Sequence, residues 1–355
     1  MIRNEWFRAN RYVYNKCIEY LKKGNANDWV YIKANMKTLF VWYDWLNDVP
    51  YQIKGQAVKD ACKAVETEEC KAAQTGEPFN MKFRARKHPK QSCFIPKTAV
   101  KERGVYVRIL QGPLLRREEL PGDLLDCRLV LDNGRYFLVC PYKERHHVAD
   151  TQGRVVALDP GIRSFLTFYS ETSCGWLGRG DFGQIQRLCS HLDDVMSDLE
   201  KATGKRRQRL RKAAARLRVK IQNLVDELHH KAARYLVDNF DIILLPTFET
   251  KDMVKRGTRK IRKKTARMMM TFAHYRFKQF LKHKAHETGK LVIDVNEAYT
   301  SKTCSWTGEV KNNLGGAKVM VGRDGQRMDR DINGARGIFL RALGDTPALQ
   351  ACVVE

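Results

Sequence analysis

The sequence predicts a mixed α/β and α+β protein in which a helical segment and a β-rich module precede a larger α/β domain. Three observations predict this. Apolar residues recur at helical spacing over 1–78, and short strand-like runs separated by turn signals fill 79–152. Over 153–343, apolar strands alternate with long helical patterns, which is typical of a layered α/β domain. The remaining residues, 344–355, are predicted to form a C-terminal tail.

The first segment is predicted to be a small helical bundle. Phe7, Cys17 and Leu21 recur at helical spacing in its first helix. A second helix follows Pro50 and ends near the Thr-Gly-Glu-Pro turn at 75–78, where glycine and proline stop it.

The β-rich module contains three strand-like runs, at 105–110, 127–131 and 136–140. The last two flank Asp132-Asn133-Gly134, and Asn-Gly between apolar runs is a strong hairpin signal. We therefore predict an antiparallel hairpin here.

The larger domain contains three apolar strands, at 155–158, 242–245 and Leu291–Val295. A helical hairpin at 187–239 lies between the first two strands, and a long helix at 265–287 lies between the last two. A final helix opens near Asp331 and runs to about Leu343. Alternating strands and helices of this kind predict a partly parallel sheet.

The charge indicates a polyanionic partner. Lys and Arg total 65 against 40 acids, a net charge of +25. The stretch 82–88 contains Arg84, Arg86 and Lys87, and 201–220 contains ten cations, including Arg207 and Arg211, and no acid. A solvated surface would usually mix signs, so we predict phosphate contacts at these five residues, with a merely basic, soluble surface as the alternative.

Other classes of protein are disfavoured. No apolar run approaches the ~20 residues that a membrane span needs, and the polar, aromatic N-terminus does not resemble a signal peptide. The ten cysteines include no Cys-x-x-Cys pair, so we expect reduced thiols and no zinc site. We expect a soluble intracellular protein.

Two acids have the context of metal ligands. Asp159 ends an apolar strand directly before Pro160-Gly161, and Asp331 precedes Asn-Gly-Ala at the start of a helix. Carboxylates held in fixed directions bind the divalent cations that assist phosphodiester cleavage. The alternatives are a turn-forming aspartate at Asp159 and a helix cap at Asp331 or Asp329.

These motifs resemble a known family. VVALDPGIRSF and MDRDINGARGIFL resemble the first and third RuvC motifs of TnpB-type transposon-encoded nucleases, the relatives of type V CRISPR effectors. PTFET, TFAHYRF and EAYTSKTC resemble Fanzor proteins, a branch of that superfamily. The resemblance covers most of the chain and is strongest over 153–343. It implies an RNase H-like (RuvC) nuclease domain, with 1–78 as a recognition-like domain and 79–152 as a WED-like module.

The resemblance also implies a third acid. The strand that ends in Glu in most TnpB proteins ends here in Pro246, which cannot bind metal. Some relatives carry the Glu on the neighbouring strand, which favours Glu297, with Glu249 as the alternative. The implied site is Asp159, Glu297 and Asp331 around two Mg²⁺ ions, for which Mn²⁺ can substitute.

One departure concerns the zinc ribbon that many relatives carry before the last Asp. In the corresponding loop, 304–328, only Cys304 remains, and Thr307 stands where its partner would be. We therefore predict a degenerate ribbon without zinc, held by packing, with Trp306 and Val319 as candidates.

The resemblance implies an RNA-guided DNA endonuclease whose partners are a transposon-encoded guide (omega) RNA and target DNA, and which acts as a monomeric ribonucleoprotein. Two alternatives remain open: a nuclease-dead guide-binding protein and an RNase H-like transposase that acts without RNA. The expected compartment is the nucleus in a eukaryote and the cytoplasm or nucleoid in a prokaryote.

Overall fold

The structure is a computed structural model. The chain forms two compact units, Met1–Arg145 and His146–Glu355. The structure describes residues 2–110, 118–143, 153–247, 254–255, 261–296, 300–311 and 314–345. No helix among these residues is long and apolar enough to cross a membrane. The predicted boundaries at 78 and 152 stay a prediction.

The first unit opens with helices. They are α1 (Ile2–Lys22), α2 (Trp29–Ala34), α3 (Met36–Leu39) and α4 (Tyr51–Thr75). Apolar residues at helical spacing on α1 and α4, among them Cys17, Ile18 and Val58, are buried in one core. As predicted, α4 ends at a glycine, Gly76, which adopts the left-handed conformation (φ +67°) that favours this residue.

The first unit also contains a three-stranded antiparallel sheet, with β4 at its centre. Its strands are β1 (Lys90–Ile95), β4 (Cys127–Asp132) and β5 (Arg135–Val139). The predicted hairpin is confirmed, and Asn133 and Gly134 both have positive φ, as a primed two-residue turn requires. The sheet and the helices share a core in which Trp6 and Ile53 pack with Cys93 and Ile95.

The predicted strand at 105–110 is wrong. A short ribbon, β2 (Val100–Lys101) with β3 (Gly104–Val105), ends there, and a helical turn, α5 (Val107–Leu110), follows. The reason is Tyr106, whose φ of +46° reverses the chain and whose ring packs edge-on against Trp6, with 5.4 Å between ring centroids. Tertiary packing has overridden the local β propensity.

The second unit is built on a five-stranded sheet in the order β10-β9-β6-β7-β8. Its strands are β6 (Val155–Pro160), β7 (Leu166–Ser170), β8 (Cys174–Leu177), β9 (Ile242–Pro246) and β10 (Leu291–Val295). The first three form an antiparallel meander, and β9 and β10 join β6 in parallel. This is the RNase H-like arrangement, which confirms the predicted fold class.

Helices cover both faces of this sheet. They are α6 (Asp181–Lys201), α7 (Gly204–Asn239), α8 (Lys263–Phe272), α9 (His274–Glu287) and α10 (Arg330–Asp345). Because side chains alternate along a strand, Val156 and Leu158 pack in the core with α6 to α9, whereas Val155 and Ala157 face α10. A small hairpin, β11 (Val319–Val321) with β12 (Arg327–Asp329), leads into α10.

The predicted continuous helix at 265–287 is broken at Ala273. This residue has a left-handed φ of +51° and separates α8 from α9. Two buried histidines stabilise the break: His229 Nε2 donates to the Phe272 carbonyl (2.8 Å), and His274 stacks on Phe165 with 4.9 Å between ring centroids. Side chains distant in sequence thus stabilise a break that the local sequence does not signal.

Candidate metal centre at the carboxyl edge of the sheet

The three parallel strands of the second unit end at one edge of the sheet. Ala157 on β6 is level with Leu244 on β9, and Val295 on β10 is level with Pro246. Residues that follow these positions therefore emerge close together, which is where an open α/β sheet usually binds its ligand.

Asp159 lies at this edge and faces α10. It shares its side of β6 with Val155 and Ala157, which pack on Ile338 of α10. Its Oδ2 lies 2.6 Å from the position that a Cβ atom on Gly334 would occupy. Any side chain at residue 334 would meet this carboxylate, so only glycine allows α10 to approach Asp159 this closely.

Asp331 lies on the first turn of the same helix, where Arg163 binds it. Arg163 Nε donates to Asp331 Oδ2 (3.0 Å), and its Nη2 lies 2.7 Å from the same oxygen and from both oxygens of Asp329. Asp329 in turn accepts the backbone N–H of Asp331 (2.9 Å), as a helix cap does. Burial alone lowers the pKa of Arg163, but the two carboxylates outweigh it and raise that pKa.

Asn333 links the loop before the final helix to that helix. Its side chain is fully buried, its Nδ2 donates to the Thr303 carbonyl, and its Oδ1 accepts the N–H of Ser305, both at 2.9 Å. The backbone of Thr300 also lies against Gly337, where a Cβ would come 3.3 Å from the Thr300 carbonyl oxygen. The chain that follows 297–299 is therefore fixed to α10.

The two candidates for the third acid, Glu297 and Glu249, lie outside the described residues, so both stay predictions. Pro246 ends β9 as predicted, and it is buried. Within the described ranges, no three His, Cys, Asp or Glu side chains are grouped to hold a metal ion.

The residues present nevertheless fit a hard divalent cation. Asp159 and Asp331 supply carboxylate oxygens, the donors that Mg²⁺ prefers. Because residue 334 is glycine, Asp159 lies directly against α10, the helix that carries Asp331. Asp159 and Asp331 would hold the ion, together with a further acid from the segments beyond β9 or β10.

Three of the predicted phosphate-binding residues lie in the first unit. Arg84 is half-buried, with its guanidinium 3.6 Å from the centre of the Tyr14 ring and Nη1 donating to Asn10 Oδ1 (2.8 Å). Arg86 and Lys87 are exposed. All three stay predictions, and Arg84 has an evident structural role besides.

The other two lie on α7. Arg211 is exposed, whereas Arg207 is half-buried and its Nη1 donates to the Ala202 carbonyl (3.2 Å). Leu210, Leu217 and Ile221 of this helix pack toward the core. The cations of 205–220 therefore lie on the remaining circumference of the helix.

Trp306 packs within the loop that is predicted to be a degenerate ribbon, as expected. Its Nε1 donates to Asp324 Oδ1 (3.1 Å), and its ring lies against Gly322, where a Cβ would come 2.6 Å from Nε1. Cys304 is fully buried. The expected packing role of Val319 is wrong, because this residue is 43% exposed on β11.

The strand order of the second unit is RNase H-like, and a family model matches part of this unit. Residues 274–338, which run from the start of α9 into α10, match the model described as Cas12f1-like, TNB domain. The match includes Asp331, Asn333 and Gly334.

Curated relatives extend the similarity. TnpB-like protein L79 of Acanthamoeba polyphaga mimivirus is 26% identical over 218 residues, which cover 59% of this chain and 41% of the relative. Putative transposase A625R of Paramecium bursaria Chlorella virus 1 is 27% identical over 84% of this chain and 71% of its own length. CRISPR-associated endodeoxyribonuclease Cas12f1 of Sulfoacidibacillus thermotolerans is 31% identical over 139 residues, which cover 39% of this chain and 32% of the relative. The chain thus spans about two fifths of the length of L79.

These matches support the assignment of the chain to the TnpB superfamily, as its motifs predict. Among solved structures, a chain of a Cas12f1-sgRNA-target DNA complex aligns with 95% of this chain and 93% of its own, at 12% identity and a TM-score of 0.40. The Fanzor-like branch stays a prediction.

Proposed function

We propose that this chain is a metal-dependent DNA endonuclease guided by RNA. The observation that carries the proposal is the contact of Asp159 with α10 at Gly334, three residues after Asp331 on the same helix. Two carboxylates, one from the end of β6 and one from the start of α10, lie at the same edge of the sheet. Its relationship to Cas12f1, named as an endodeoxyribonuclease, supports DNA as the substrate.

Glu297 is proposed as the third ligand. The residues on either side of 297–299 support it: Val295 ends β10 at the carboxyl edge, and Thr300 lies against α10. Glu249 follows β9 by three residues and remains the alternative.

The acids would hold two Mg²⁺ ions, or Mn²⁺ in their place. When bound, a pair of divalent cations supplies activation of the attacking water and neutralises charge at the scissile phosphodiester. The contribution of the chain is to fix the directions of the carboxylates and to bind the nucleic acid backbone. Arg86, Lys87 and Arg211 are exposed cations suited to the second task.

The proposed partners are a guide RNA and a target DNA, bound by a monomer. The net charge of +25 and the acid-free stretch 201–220 support a large polyanionic ligand, and RNA guidance is what the resemblance of the motifs to TnpB proteins implies. The proposed compartment is the nucleus in a eukaryote and the cytoplasm or nucleoid in a prokaryote.

The test is plasmid cleavage by the protein purified with its copurifying RNA, with Asp159→Asn, Asp331→Asn and the control Asp345→Asn. Asp345 lies on the same helix as Asp331, but its side chain is 61% exposed at the far end. Loss of cleavage in the first two variants, with nucleic-acid binding retained, is expected. Glu297→Gln and Glu249→Gln then identify the third acid.

Two outcomes would contradict the proposal. Guided binding without cleavage by the unmodified protein indicates a nuclease-dead binding protein. Cleavage or strand transfer that is unaffected by RNase, with no RNA copurifying, indicates a transposase that acts without RNA.

A further inference from the structure

Arg163 is held rigidly in the loop between β6 and β7. The loop is closed by a hydrogen bond from the Gly161 N–H to the Phe165 carbonyl (3.2 Å). Phe165 is fully buried and stacks on His274, and Ser164 is 1% exposed. Arg163 therefore extends from an anchored turn that begins directly after Asp159-Pro160.

The guanidinium of Arg163 selects one oxygen of Asp331. Nε and Nη2 both contact Oδ2, at 3.0 and 2.7 Å, and Arg163 makes no hydrogen bond to Oδ1. Nη2 is also fixed by both oxygens of Asp329, which caps α10. This arrangement sets the rotation of the Asp331 carboxylate and leaves Oδ1 as the oxygen not engaged by Arg163.

We propose that Arg163 is a positioning residue of the metal centre, which holds Asp331 through Oδ2 so that Oδ1 is the oxygen presented to a divalent cation. The proposal rests on the metal-dependent function proposed above. Hydrogen bonds to ligating carboxylates orient them, and their loss typically weakens metal binding about 10–100-fold. Arg163 does not touch the substrate or the metal in this role.

Electrostatics and positioning predict opposite effects. A positive charge beside a cation site repels the cation, so its removal alone strengthens metal binding. Loss of positioning weakens binding. A charge-removing variant therefore distinguishes an orienting residue from a counter-ion that merely balances the acids.

The experiment measures Mn²⁺ binding to the full chain, without nucleic acid, by electron paramagnetic resonance of free Mn²⁺. The variants are Arg163→Gln and Arg163→Lys, with Asp159→Asn to identify the site. Arg154→Lys is the matched control, because Arg154 makes a similar bridge to Asp241 (Nε to Oδ2, 3.2 Å) at the other end of β6. Thermal unfolding of each variant reports whether it is folded.

Both Arg163 variants are expected to bind Mn²⁺ about 10–100-fold more weakly, with Arg154→Lys within twofold of the unmodified chain. In cleavage assays the Mn²⁺ concentration for half-maximal rate should rise, while the rate at saturating Mn²⁺ is largely kept. Arg163→Lys is the conservative variant, because it keeps the positive charge. It serves as the test if Arg163→Gln does not fold.

Mn²⁺ binding that is unchanged or tighter in the Arg163 variants overturns the proposal, as does Mn²⁺ binding that Asp159→Asn does not weaken. A chain that binds Mn²⁺ as expected but cuts no DNA contradicts the proposed nuclease and leaves the role of Arg163 intact. The two failures are therefore distinguishable.

Discussion

Asp159 and Gly334 lie in direct contact across the candidate metal centre, with Oδ2 of the aspartate 2.6 Å from where a Cβ on residue 334 would stand. Real Cβ atoms do not approach oxygen this closely. A side chain at residue 334 would therefore have to shift either the Asp159 carboxylate or the start of α10.

Gly334→Ala is expected to displace Asp159 or the start of α10. A misplacement of about 1 Å can cost about 100-fold in rate, and overpacking costs about 1–3 kcal/mol of stability. Cleavage rate and chemical unfolding measure the two effects. The control is Gly344→Ala on the same helix, where a Cβ meets nothing within 4 Å. Equal activity of both variants would mean that the contact has no functional role.

The sequence predicts Asp159 and Asp331 because each has a local signal, a strand end and a helix start. It does not single out Arg163 as functional, since its role depends on a contact between distant segments; Arg163 and Asp331 are 168 residues apart. The break at Ala273 escapes prediction for the same reason, because buried histidines from two helices stabilise it. The spacing of apolar residues predicts most helices and strands, whereas contacts between them can be identified only once the fold is known.

Asn333→Ala is expected to destabilise the loop that follows 297–299. It removes the hydrogen bond to the Thr303 carbonyl and the hydrogen bond from the Ser305 N–H, at a cost of about 0.5–1.5 kcal/mol each. Chemical unfolding and the rate of limited proteolysis within 300–311 measure the effect. The control is Asn239→Ala, whose exposed side chain bonds only the Tyr235 carbonyl one turn earlier. A variant as stable and as protease-resistant as the unmodified chain would contradict the prediction.

The stability of the second unit is expected to fall in mild acid. Burial lowers the pKa of both His229 and His274 from 6.5 to about 4. The folded state then binds fewer protons than the unfolded state between these values, so the free energy of unfolding decreases as pH falls from 6.5 and levels off near 4. The loss is on the order of 3 kcal/mol for each imidazole.

For His229→Gln, the free energy of unfolding should change less steeply with pH over this range than it does for the unmodified chain, because one titrating imidazole is gone. The glutamine amide N–H can still donate to the Phe272 carbonyl. His283→Gln is the control, since that side chain is 65% exposed. Parallel slopes in all three proteins would show that burial of His229 does not govern the pH dependence.

The ribbon is expected to fold without zinc, because the contacts of Trp306 hold it. Gly322→Ala would place a Cβ 2.6 Å from Trp306 Nε1 and should lower the melting temperature, whereas Gly316→Ala meets nothing within 4 Å and should not. Trp306→Phe keeps the ring stacked on Gly322 but loses the hydrogen bond to Asp324, at a cost of about 0.5–1.5 kcal/mol. A zinc chelator should leave all melting temperatures unchanged. One equivalent of zinc per chain by elemental analysis, lost together with stability on chelation, would show instead that Cys304 and its neighbours still bind the metal.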